Sequence, residues 1–123
     1  IENSNADVTE EYSLEATGEM LLHLRHEADV LSGGIMLLST DVSRMFKDSL
    51  LHRTSPEWQN LEVRWATIAG RYEHFKALLT SFEEQVLWGE HELATKNLTL
   101  DRHWYELRGR LVRLQKRVSK KSR

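Results

Sequence analysis

The side chains here with the widest chemical repertoire are six histidines, His23, His26, His52, His74, His91 and His103, and their spacing decides whether a metal or acid–base centre is in prospect. His23 and His26 are three apart, but both fall off the apolar seam of their segment, so a solvated surface explains them better than a metal site. His91, between Glu90 and Glu92, lacks the second histidine that a zinc-protease helix requires. There is no cysteine, hence no thiolate ligand and no disulfide framework. The glycine pair in "SGG" at Ser32–Gly34 precedes no Lys-Ser/Thr and makes no phosphate loop. "NLT" at Asn97 has the form of a glycosylation sequon, which in a cysteine-free helical chain reads as chance. We therefore expect no catalytic residue, no cofactor-binding residue, no metal ligand and no enzymatic activity.

The totals agree with that reading. The 123 residues suit one domain, with 40% hydrophobic and 29% charged side chains, one proline and six glycines. Such a composition favours long helices over turn-rich β structure. The net charge of −2 supplies no global field for nucleic acid or acidic substrates. No apolar run approaches the ~20 residues needed to span a bilayer, and the polar, acidic start "IENSNADVTEEYS" is no signal peptide. The missing cysteines point to a reducing compartment, and the abrupt start without Met to a piece of a longer protein.

Three helical segments carry the apolar residues. The first, about 13–51, has Leu14, Thr17, Leu21, Leu24, Ala28, Leu31, Ile35, Leu38, Val42 and Met45 at alternating steps of three and four. The seam keeps its phase across Gly33 and Gly34, so one continuous helix is expected there although two glycines cost about 2 kcal/mol relative to alanine. After "HRTSPEW", Ser55 is placed to cap and Pro56 to open the second helix, about 56–96. That helix carries Trp58, Leu61, Trp65, Ile68, Tyr72, Phe75, Leu79, Phe82, Val86, Gly89 and Leu93. "ATKNLTLD" weakens the pattern, and a third helix, about 99–119, offers Leu100, Trp104, Leu107, Leu111, Leu114 and Val118. A period of 3.5 in every seam implies left-handed coiled-coil packing, and short connections force antiparallel neighbours. The expected fold is all-α: an up-down-up antiparallel three-helix bundle over 13–118, between a flexible acidic segment (1–12) and a basic tail (119–123).

Counted from the turns, the helices are roughly 37, 41 and 21 residues long, or about 55, 60 and 30 Å. The third is short, so Ile35, Leu38, Val42 and Met45 would face Trp58, Leu61, Trp65 and Ile68 with nothing above them. A contiguous apolar patch of that kind marks an interaction site. It would be covered by a second copy, by a partner helix, or by a helix of an adjacent repeat. Trp88 falls outside the seam and is either a binding anchor or a cover for the bundle end against Val8 and Tyr12.

Charge is also divided along the chain. Glu2, Asp7, Glu10, Glu11, Glu15, Glu19, Glu27 and Asp29 crowd the first 30 residues, and Arg102, Arg108, Arg110, Arg113, Lys116, Arg117, Lys120, Lys121 and Arg123 crowd the end. If the first and third helices run side by side, these blocks neutralise each other. The competing reading is a basic surface for a membrane or nucleic acid.

Two stretches, "WATIAGRY" from Trp65 and "WYELRGRL" from Trp104, share the form Trp, two residues, apolar, one residue, Gly-Arg, large apolar. On helices each puts its Trp on the seam, with Gly at the edge where backbones can approach. Trp104, Leu107, Leu111 and Leu114 followed by "QKRV", with Trp65, Ile68 and Tyr72, resemble the spectrin-repeat superfamily, whose third helix carries Trp, two residues, Leu and further heptad apolar positions. The short third and long second helices depart from its pattern, as atypical repeats of dystrophin, spectraplakin and nesprin-type linkers do. The resemblance implies a spacer or docking module without an active site, linking cytoskeleton to a membrane or organelle, in the cytoplasm or at the outer nuclear envelope. The expected partner is a helical protein or a second copy, bound at Ile35, Leu38, Val42, Met45, Trp58, Leu61, Trp65, Ile68 and Trp88. No small-molecule substrate is expected, and a membrane is reached only through the parent protein. The alternative is a charge-driven lipid- or nucleic-acid-binding module using the Arg-rich third helix.

Overall fold

A computed structural model describes the backbone of residues 2–86 and 91–121 and the side chains of residues 18–81 and 93–119. It is an all-α three-helix bundle: α1 (Glu2–Phe46), α2 (Pro56–Val86) and α3 (His91–Lys121). The ion pairs set the directions. Glu27 and Asp41 of α1 meet Arg71 and Arg64 of α2, in reverse order, at 2.9 and 2.6 Å. Asp29 meets Lys96 of α3 at 2.9 Å, and the Arg117 guanidinium donates to the backbone oxygens of Phe46 and Asp48. Hence α1 and α3 are parallel and α2 runs against both.

Helix α1 passes without interruption through Gly33 and Gly34, as the seam phase predicts, and begins at Glu2 rather than near 13. The acidic segment 2–12 is thus part of a helix, not an irregular leader. The helix ends at Phe46 with no residue of positive φ, so no left-handed cap takes up its last carbonyls. Arg117 supplies those donors instead, from α3. In the connection, the Ser55 backbone oxygen accepts the first helical bond of α2, from the Gln59 amide at 3.1 Å. The Ser55 hydroxyl, however, turns back to accept the His52 amide at 3.0 Å, closing the loop over buried Leu51.

The second break differs from the expected one. Helix α2 ends at Val86, and "ATKNLTLD" lies inside α3, which is 31 residues long and as long as α2. The polar residues that looked like terminators are tied laterally to α2. Asn97 Oδ1 accepts from Lys76 Nζ at 2.8 Å, and Asp101 accepts from Lys76 Nζ at 3.0 Å and from the Tyr72 hydroxyl at 2.6 Å. Tertiary partners outweigh the weak local preference of Asn and Asp for helix ends. Leu93 accordingly belongs to the α3 seam, which continues through Leu100, Trp104, Leu107, Leu111, Leu114 and Val118, all buried.

The two interfaces of α2 are built differently. Among the described residues, no α2 Cα comes within 8 Å of an α3 Cα, whereas α1 approaches both helices that closely. Large aromatic side chains span the wider gap. The Trp104 ring lies between Trp65, at 4.5 Å and 7° from parallel, and Tyr72, at 4.4 Å and 15°. The two Trp-Gly-Arg stretches therefore pack on each other. Their glycines do not mediate close approach, since a Cβ at Gly70 or Gly109 would meet nothing within 4 Å. The close approach is at Gly34, where a Cβ would lie 2.6 Å from Ile68 Cδ1.

Candidate functional site

A full-length α3 removes the open end that a short third helix would leave. Ile35, Leu38, Val42, Met45, Trp58 and Leu61 are all 3% exposed or less and are core residues, not a docking surface. Trp65 and Ile68 are half-buried against that core, Trp65 through its stack on Trp104. Trp88 lies outside the described residues.

One apolar surface among the described residues lies along the α1–α2 contact. Leu37 and Val63 are 65% and 66% exposed. With Gly34, Leu38, Thr67 and Ile68 they line a shallow groove of about 250 Å³, rimmed by Arg64. The absence of a side chain at Gly34 shapes its floor, because Ile68 Cδ1 occupies the space a Cβ would need. The Arg64–Asp41 ion pair, 2.6 Å long, ties the helices at the rim. The sequence held a signal for this face. Four successive apolar residues, Ile35–Leu38, cannot all lie on one helical seam; Met36 and Leu37 are both exposed, Leu37 into this groove and Met36 on the α3 side of α1.

Among the described residues, the basic block of α3 does not pair with the acidic block of α1 as the side-by-side placement suggested. With Asp29 beside Lys96 and Phe46 beside Arg117, residues 2–19 of α1 precede the level at which α3 begins. Glu27 is held by Arg71 of α2. Arg108, Arg110 and Arg113 are exposed, and among the described residues none is ion-paired with an α1 carboxylate.

The polar cluster of Tyr72, Lys76, Asn97 and Asp101 is the nearest thing to convergent chemistry. Burial above all, then the hydrogen bond and charge of Asp101 and a smaller effect of Tyr105, raise the Tyr72 pKa well beyond the usual tyrosine range. A hydroxyl held this firmly neutral is a donor to Asp101, not a base or nucleophile, and the cluster ties α2 to α3. Asn97, the sequon residue, is engaged by Lys76 in mid-helix. His23 and His26 are exposed. Among the described residues no group of three or more His, Asp or Glu is arranged to hold a metal ion. No helix among them is long and apolar enough to cross a membrane. No protein-family model, curated protein or solved structure matches the chain.

Proposed function

We propose that this chain is a non-catalytic helical docking module, binding a helical partner protein or a second copy of itself through the outer face of α1 and α2. The observation that carries the reading is the groove between exposed Leu37 and Val63, floored by Gly34 and Ile68. Two parallel ridges around a narrow apolar furrow match what an amphipathic helix presents at positions i, i+3 and i+7. The likeness of Trp104-Tyr-Glu-Leu107 and the heptad seams to spectrin repeats supports a spacer role in a longer protein that links cytoskeleton to a membrane or organelle.

The test replaces Leu37 and Val63 with Glu, singly and together. Both side chains are exposed, so helical content and melting temperature should hold. Sedimentation equilibrium of the unaltered chain at high concentration, and capture with a library of amphipathic helical peptides, should show association that the double variant loses. A chain that stays monomeric and captures no helix in either form would overturn the proposal.

A further inference from the structure

Where α1 and α3 lie side by side near their C-termini, a second groove, of about 460 Å³, has the opposite character. Ser39, Thr40, Ser43 and Arg44 line it from α1, Lys47 from the turn just past its end, and Arg110 from α3. It thus combines three cations with three hydroxyls, and no carboxylate is among its walls. The four α1 residues recur at steps of three and four, which places them on one side of the helix, within about 8 Å along its axis. The Thr40 hydroxyl donates to the Met36 carbonyl, which leaves Ser39 and Ser43 as the hydroxyl donors. Arg44 is loosely held. Its side chain is 68% exposed, and its one ion pair, to Asp41 at 3.3 Å, is longer than the 2.6 Å pair that Arg64 makes with the same carboxylate.

Position on the helix matters as well. The C-terminal end of α1 carries partial negative charge on its last carbonyls, which opposes an anion nearby. Here Arg117 donates to the Phe46 and Asp48 oxygens, so that opposition is largely offset. We propose that the Ser39–Lys47/Arg110 groove binds a phosphomonoester group. A dianion of charge −1.5 to −2 with three acceptor oxygens matches three convergent cations and two free hydroxyls better than a carboxylate does. Nucleic acid fits less well. No aromatic side chain lines the groove to stack a base, and the cations span too short a length to follow a strand.

The soluble probe is myo-inositol hexakisphosphate, titrated calorimetrically against the full chain. Lys47→Gln with Arg110→Gln should weaken binding about tenfold or more, the loss expected for charge-assisted hydrogen bonds. Arg102→Gln with Arg108→Gln removes the same charge outside the groove and should change affinity by less than about threefold. Vesicles of phosphatidylcholine carrying phosphatidylinositol bisphosphate, or phosphatidylserine at equal charge, distinguish the source of the group. Binding to the bisphosphate vesicles alone identifies a lipid headgroup, and binding to the soluble probe without either vesicle identifies a free phosphorylated ligand. Equal weakening by the two double variants, equal binding to both vesicles, tighter binding of single-stranded RNA than of the soluble probe, or no binding at all would overturn the proposal. Circular dichroism of each variant separates loss of the site from loss of the fold.

Discussion

The two faces of α2 solve the same packing problem in opposite ways. Toward α1 the contact is close and flanked by two ion pairs, and at Gly34 the missing side chain admits the tip of Ile68. Toward α3 the backbones stand apart, and a three-ring stack with a polar cluster beside it fills the space. The difference teaches that a regular heptad seam does not imply uniform helix spacing. Side-chain volume sets the distance, and aromatic residues hold helices further apart than Leu or Gly do.

The largest loss is expected at Trp104. Trp104→Ala removes the middle ring and should cost about 3–5 kcal/mol, read as a shifted midpoint in urea denaturation. The same change at half-buried Trp65 should cost clearly less. If the two losses were equal, the stack would not be the element that holds α3.

Tyr72→Phe keeps the ring and deletes the donor to Asp101, so about 1 kcal/mol should be lost. Its pH dependence sharpens the point. The folded chain keeps a phenolic proton that the unfolded chain releases near pH ~10. The stability this group contributes is therefore complete below that pH and declines as pH rises above it. Denaturation midpoints followed into alkali should fall less steeply for Tyr72→Phe than for the unaltered chain.

On the α1 side the effects are smaller. Gly33 has free space where a Cβ would go, so Gly33→Ala should stabilise by about 0.5–1 kcal/mol through helix propensity alone. Gly34→Ala should gain less or lose, because its Cβ meets Ile68 Cδ1. Ile68→Val removes that atom, and a double-mutant cycle should show favourable coupling of about 0.5–1 kcal/mol between Gly34→Ala and Ile68→Val. Additive effects would mean that Ile68 swings aside at no cost and that the close approach is not restrictive. The least effect belongs to Arg71→Gln. Arg71 is 46% exposed and its partner Glu27 14%, so the pair should contribute about 1 kcal/mol or less, and less still in high salt.

Much of this architecture is legible in the residues themselves. The 3-4 spacing from Leu24 to Met45 and from Trp104 to Val118 places those side chains in the core, because burial at 3.6 residues per turn leaves no other face for them. The same phase argument carries α1 through Gly33 and Gly34. The start of α3 was not legible. Asn97 and Asp101 interrupt the apolar pattern between Leu93 and Trp104, and nothing local reveals that Lys76 and Tyr72, some twenty-five residues earlier, satisfy them. That single misplacement made the third helix short and turned core residues such as Val42 and Leu61 into a supposed docking face.

By itself, then, the sequence determined three helices, their antiparallel order and most of the buried residues, since apolar periodicity is a property of each segment alone. Only the tertiary structure decided where α3 begins, that Trp104 lies between Trp65 and Tyr72, and which apolar and basic side chains stay in water. Those outcomes depend on distances between segments remote in the chain, where a hydrogen bond or a ring stack outweighs the preference of any single residue.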